Sequence, residues 1–260
     1  MKYLFNNLLE IEKKLYLSEG ILVMFDFDGT LSPIASTPYK AILPKKIKNR
    51  LIKCSKKFPL VVISGRSLKD IKNKVDIKDL VYAGNHGLEW QIGKKINSIP
   101  VPKSTTKLLS NIKQKLQKIK QKYPGILIEH KSLSCAIHYR QLNPKLITCF
   151  KKDINNIIKP LNNNNVLEVL KEKKVIELKP NIDWDKGKFA LFIHEYFQNK
   201  LKLKLLPVYV GDDKTDEDVF TALQSGLTIR VGINKKSSAT FYIKKQEQII
   251  LFIDWLLKQT

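Results

Sequence analysis

Ile21-Leu22-Val23-Met24-Phe25 runs directly into Asp26-Phe27-Asp28-Gly29-Thr30, and the reading of this stretch decides the fold. An unbroken apolar run bounded by a turn signal describes a strand buried on both faces, as in a parallel sheet. On an extended backbone side chains alternate, so Asp26 and Asp28 turn toward one side of the strand end. Gly29 then lets the chain turn sharply. Paired carboxylates at a strand end offer a nucleophile, a proton shuttle and oxygen ligands for a hard cation. An Asp-rich turn without chemistry reads the same way locally, so the surrounding chain must discriminate.

Working outward, short apolar runs at 60–63, 80–83 and 206–210 predict further buried strands. Each of the four runs is followed, directly or at a distance, by helical spacing: 44–57, 67–74, 186–198 and 215–224. Pro44 suits a first helical turn, and Ser67 and Thr215 suit helix starts. Strands alternating with helices predict an α/β fold, a Rossmann-like parallel sheet with helices on both faces. In such sheets ligands collect at the carboxyl ends of the strands. The middle of the chain breaks this rhythm. A basic helix over 105–123 ends at Pro124-Gly125, and extended stretches follow at 126–130 and 135–139. A helix over 144–159 then leads through the Asn162–Asn165 turn into strands at 166–170 and 175–178. The expected organisation is a core of 1–103 and 180–260 with an inserted α+β cap domain over 104–179.

Three further signals sit where the Asp26 site needs them. Ser64-Gly65-Arg66 closes the second strand, where a hydroxyl and backbone amides can hold phosphate oxygens. Lys186 opens a helix, and a cation there can neutralise phosphate charge and keep a carboxylate ionised. Gly211-Asp212-Asp213-Lys214-Thr215-Asp216-Glu217 follows the fourth strand and crowds acidic groups that a bound Mg²⁺ would reconcile. Taken singly these are a Ser-Gly turn, a first-turn lysine and a solvated acidic loop; their ordered occurrence favours one site. His86, in the Gly-flanked loop after the third strand, is a candidate to line it.

Composition bounds the alternatives. The chain has 260 residues, 43% of them apolar, enough for a full core. No apolar run approaches the roughly 20 residues of a membrane-spanning helix. The N-terminal segment reads as an amphipathic surface helix rather than a signal peptide. Three cysteines without a CxxC pair argue against disulfides or zinc and for a reducing, cytoplasmic setting. The net charge of +23 invites a nucleic-acid or membrane reading. The lysines, however, are spread along the whole chain with no nucleic-acid-binding motif, so no specific nucleic-acid or membrane partner is expected. A monomer is expected.

The ordered set Asp26-Phe27-Asp28-Gly29-Thr30, Ser64, Lys186 and Gly211-Asp212-Asp213 resembles the four motifs of the haloacid dehalogenase (HAD) superfamily of aspartyl phosphatases. The resemblance implies that Asp26 attacks phosphorus, while Asp28 protonates the leaving oxygen and later activates water. It implies Mg²⁺ on Asp26, the Asp28 backbone carbonyl and Asp212, with Asp213 and Asp216 behind them or as weaker contributors. Asp28–Ile34, the stretch Ala83-Gly84-Asn85-His86-Gly87-Leu88-Glu89 and the stretch 211–218 are more narrowly similar to the trehalose-6-phosphate phosphatase family. In that family Ser is usual at Asn85. The inserted region adds Glu129-His130-Lys131, Ser134, His138-Tyr139-Arg140 and Glu177. The resemblance implies that Glu129, Lys131 and Glu177 hold sugar hydroxyls. Gly65, Arg66, His86 and Arg140 are further candidates for substrate contact. The implied substrate is a small sugar phosphate, trehalose 6-phosphate. The rivals are a phosphatase of sucrose 6-phosphate or another sugar phosphate, and a basic binding protein with relic motifs.

Overall fold

The computed structural model describes residues 1–172 and 174–259. In chain order the first half holds β1 (Lys2–Tyr3), α1 (Leu8–Tyr16), β2 (Gly20–Phe25), α2 (Lys45–Ser55), β3 (Leu60–Ile63) and α3 (Leu68–Val75). These are followed by β4 (Val81–Gly84), β5 (Glu89–Ile92), β6 (Lys95–Ser98), α4 (Lys103–Lys122), β7 (Leu127–His130) and β8 (Cys135–His138). Next come α5 (Ile147–Leu161), β9 (Leu167–Glu172), β10 (Val175–Pro180), α6 (Lys186–Leu201) and β11 (Leu205–Gly211). The chain closes with α7 (Asp216–Ala222), β12 (Leu227–Val231), β13 (Phe241–Ile243) and α8 (Ile249–Leu256). Two compact units result, one of residues 1–35, 41–98 and 184–260, the other of 36–40 and 99–183.

The first unit is built on a sheet in the order β1-β13-β12-β11-β2-β3-β4-β5-β6. Pairings from β1 through β4 are parallel, and β5 and β6 add an antiparallel edge. β2 is buried because both neighbours, β11 and β3, cover its edges, and helices cover its faces. Val23, Phe25, Val62, Val208 and Val210 pack with Ile11 of α1, Leu51 of α2, Ile71 of α3 and Phe252 of α8. α6 and α7 pack against each other and against β11 on the opposite face. From β2 the chain winds one way through β3 and β4 and the other way through β11, β12 and β13. The carboxyl end of β2 is therefore the switch point where a doubly wound sheet opens a crevice.

Two helix starts differ in detail from the sequence reading. Ser67 caps α3, its Oγ accepting from Asp70 N at 3.2 Å. Thr215 makes no cap bond. Asp213 takes that role instead, its Oδ1 accepting from Thr215 N and Asp216 N at 2.8 and 3.2 Å. Pro44 stands at the cap position just before α2 rather than in its first turn.

The second unit is a four-stranded antiparallel sheet, β7-β8-β10-β9, with α4 and α5 on one face. Register sets its two faces apart. Ile128, Ile137 and Ile176 align across the strands and pack toward Leu109, Ile112 and Phe150 of the helices. Glu129, Ala136 and Glu177 align on the other face. Among the described residues no helix is long and apolar enough to cross a membrane.

Candidate active site

Asp26 is the first residue beyond β2, its N donating to Val210 O at 2.9 Å, so the sheet ladder fixes its backbone. Its carboxylate is buried, and Oδ1 accepts from Lys186 Nζ at 2.8 Å. Lys186 reaches it from the first turn of α6, which Asp185 caps by accepting from Lys188 N. Gly29 has φ of +82°, and a Cβ there would lie 2.2 Å from Asp212 Oδ2. Only glycine both permits this turn and leaves the Asp212 carboxylate its place.

Asp216 organises the acidic loop. It is fully buried, and its two oxygens accept from Lys186 Nζ at 2.5 Å, Tyr209 Oη at 2.5 Å, Asp212 N at 2.7 Å and Asp213 N at 2.9 Å. Burial alone would raise this carboxyl, but Lys186 and the hydrogen bonds hold it below the ordinary carboxylate value. Lys186 is pulled down by burial, yet Asp216 and Asp26 lift it well above the ordinary lysine value, so it stays charged. Asp26 is driven up by burial against the opposing pull of Lys186. Burial and then Asp216 push Asp212 up to about 8.

One oxygen from each of Asp26, Asp212 and Asp216 falls within 4.8 Å of the others. Asp212 Oδ1 is buried without a hydrogen-bond partner, which is costly for a carboxylate unless a cation completes it. Hard oxygens of this kind suit Mg²⁺. Asp216 already serves four donors, so it fits as the holder of the loop, leaving Asp26 and Asp212 to face an ion. Asp213 is occupied within the loop by Thr215 and Asp216 N.

The loop after β3 lies beside this cluster in the fold. Ser64 is buried, and its Oγ accepts from Arg66 N at 3.2 Å. Gly65 meets the His86 ring so closely that a Cβ would come within 2.6 Å of Cε1. His86 N donates to Ser64 O and Asn85 N to Arg66 O, so the Asn85–Gly87 arch straps the 64–66 loop. Arg66 donates to Asp28 and Asp70.

Glu129, Lys131, Glu177 and Arg140 lie in the second unit. Lys131 Nζ and Ser134 Oγ both donate to Glu177 Oε1, at 2.7 and 2.8 Å, and all three side chains are buried. Glu129 Oε2 faces His138 Nε2 at 3.0 Å. Arg140 is exposed at the turn after β8.

Residues the sequence reading passed over also shape the site. Tyr209 is a phenol inside an otherwise apolar strand, and that lone polar atom was its only signal. Arg230, at the end of β12, donates to the carbonyl oxygens of Asp212 and Asp213 and to Glu217 at 2.6 Å. Glu89 accepts from Leu68 N and from Asn85 Nδ2 at 2.8 and 2.7 Å. Asp70 is legible as the carboxylate one turn after Arg66.

Residues 24–248 match the trehalose-phosphatase family model. A protein of Arabidopsis thaliana named probable trehalose-phosphate phosphatase E is 30% identical over 262 residues, covering 95% of this chain and 73% of that protein. The trehalose-phosphate phosphatase of Mycobacterium tuberculosis (strain H37Rv) is 32% identical over 250 residues, 91% of this chain and 61% of its own length. Among solved structures, the C-terminal domain of C. albicans trehalose-6-phosphate phosphatase superposes with a TM-score of 0.82 at 24% identity, covering 99% and 98% of the two chains. A haloacid dehalogenase-like hydrolase from Bacteroides thetaiotaomicron gives 0.65 at 14% identity, over 92% of this chain and all of the other, a likeness of fold. With the family model spanning nearly the whole sequence and the acidic cluster standing at the sheet's switch point, the chain belongs to the trehalose-phosphatase family.

Proposed function

We propose that the protein hydrolyses trehalose 6-phosphate to trehalose and phosphate through a phosphoryl group carried on Asp26. The observation that carries this reading is the buried Asp26–Lys186 pair at the end of β2, beside an Asp212 oxygen that has no protein partner, in a member of this family. Asp26 attacks phosphorus; the bond to the sugar oxygen breaks, and Asp28 gives that oxygen a proton. Asp28 then takes a proton from water, whose oxygen bonds to phosphorus as the bond to Asp26 breaks. Lys186 balances the charge of the nucleophile and the phosphate. Ser64 and the backbone of Gly65 and Arg66 hold phosphate oxygens. Mg²⁺ would be held by Asp26, Asp212 and the Asp28 carbonyl, and it would polarise the phosphoryl group.

Glu129, Lys131 and Glu177, on the 104–179 insertion, are read as the sugar-binding groups, since carboxylates and an ammonium can hydrogen-bond a polyhydroxylated disaccharide. The test is phosphate release across a panel of sugar phosphates with Mg²⁺ present. Trehalose 6-phosphate should be preferred, and Asp26→Asn should lose essentially all turnover. Normal release by Asp26→Asn would end the mechanism. Preference for sucrose 6-phosphate would hand the substrate to the rival reading.

A further inference from the structure

Arg66 ends the Ser64-Gly65-Arg66 loop, a place where a cation would be expected to meet phosphate. Its guanidinium instead lies among carboxylates, with only 7% of the side chain exposed. Nε and Nη2 donate to Asp28 Oδ2 and Oδ1 at 2.6 and 2.7 Å, a two-pronged pairing. Nη1 donates to Asp70 Oδ2 at 2.6 Å. Asp70 belongs to the first turn of α3, which Ser67 caps through Asp70 N. The guanidinium also lies over the ring of Phe27, 5.4 Å from its centroid, and Phe27 is fully buried. A helix start and a core aromatic therefore fix the arginine, and the arginine fixes Asp28.

A two-pronged arginine sets the plane of a carboxylate as well as its distance, which a lysine cannot do. Asp28 needs this. Its side chain is 43% exposed, and among the described residues no other hydrogen bond or ion pair holds its carboxylate. The geometry points to Arg66 as a positioning residue that acts on the reaction through Asp28 and not by binding the phosphate. This rests on the reading of Asp28 as the acid and base. In one half-reaction a proton passes from Asp28 to the sugar oxygen as its bond to phosphorus breaks. In the other, Asp28 takes a proton from the water that displaces Asp26. Both transfers require a carboxyl oxygen aligned with the reacting oxygen, and a misplacement of about 1 Å can cost up to about 100-fold.

The experiment is a double-mutant cycle on the full-length protein, with Arg66→Gln, Asp28→Asn and the pair. Steady-state turnover of trehalose 6-phosphate is measured, together with single-turnover phosphoenzyme formation from p-nitrophenyl phosphate. Arg66→Gln should lower kcat on the sugar phosphate by about tenfold or more while KM changes little. Phosphoenzyme formation from the nitrophenyl ester should suffer less, because nitrophenolate leaves without a proton. The double variant should be no slower than Asp28→Asn alone. Asp70→Asn should show the same pattern in weaker form, and it carries the test if Arg66→Gln does not fold. Multiplying effects of Arg66→Gln and Asp28→Asn, or a rise in KM at unchanged kcat, would overturn the inference and return Arg66 to phosphate binding. Undiminished turnover by Asp28→Asn would remove the acid–base reading itself, and this inference with it.

Discussion

Asp212 and Asp216 carry the same group four residues apart, yet their surroundings give them opposite tasks. Asp216 has every lone pair engaged by an ammonium, a phenol and two backbone amides. Asparagine in its place would turn an NH₂ group toward donors whichever way it sat. Asp216→Asn should therefore cost about 3–5 kcal/mol, as loss of a buried charge partner does, and should lower the midpoint of metal-free thermal unfolding. Asp212 has an oxygen without a partner and a carboxyl pushed up to about 8, by burial first and then by Asp216. An unfolded aspartate releases its proton near about 4. Between those values the folded, metal-free chain holds the extra proton, so its stability should fall as pH rises from about 4 to about 8. Mg²⁺ held at Asp212 would compete with that proton. Titration calorimetry in buffers of different ionisation heat should show proton release on Mg²⁺ binding, with affinity rising toward pH 8. Asp212→Asn should abolish both effects while the protein still folds. Metal binding that ignored pH would count against Asp212 as a ligand.

At the scale of elements, the 64–66 loop is shaped by an arch the sequence only partly announces. Asn85, His86 and Gly87 take φ of +50°, +58° and +89° in succession. Two non-glycine residues in the left-handed region cost of order 1–3 kcal/mol each. The arch offsets this with backbone bonds to Ser64 and Arg66 and with the Asn85–Glu89 bond. Gly87 has a second constraint, because a Cβ would lie 2.4 Å from Phe189 Cβ. Gly93, in the β5–β6 turn, has φ of +60° and open space around it. Gly93→Ala should cost only the left-handed penalty, about 1–2 kcal/mol. Gly87→Ala should cost distinctly more and also slow turnover, since it moves the strap over Ser64. Equal shifts in unfolding midpoint would mean the Phe189 contact yields freely. The sequence marked this loop by His86 between glycines and by likeness to a family. It could not show the arch, because positive φ at Asn and His leaves no compositional trace. The β5–β6 hairpin went unread for a related reason: as a polar sheet edge with Ile96 exposed, it has no apolar run to find.

At the scale of the whole molecule, β2, β3, β4, β11 and the motifs at their ends were legible because burial on both faces writes continuous apolar runs, whereas β12 was not, Thr228 and Arg230 interrupting its apolar run. Nor were β1 and β13, being only two and three residues long and lying at the edge of the sheet. The polar face of the second unit was legible as alternation, but the pairings on it were not. This changes how its residues must be tested. Lys131→Ala would leave the buried Glu177 carboxylate without its ammonium, and Glu177→Ala would take that carboxylate from the buried Lys131, a loss of about 3–5 kcal/mol that could pass for a functional defect. The paired change Lys131→Met with Glu177→Gln removes both charges at similar volume and should fold well by comparison. If these groups recognise sugar hydroxyls, the paired variant should lose kcat/KM on trehalose 6-phosphate by about tenfold or more, since each unmet polar partner costs about 1–3 kcal/mol. It should keep its rate on p-nitrophenyl phosphate, which offers no hydroxyls, and its Mg²⁺ affinity, because the acidic cluster lies in the other unit. Glu129→Gln should follow the same pattern, its carboxylate lying on the same face of that sheet. An equal loss on both esters in a variant with an unchanged melting curve would mean that the Lys131–Glu177 pair serves the chemical step, and sugar selection would have to be sought in other residues.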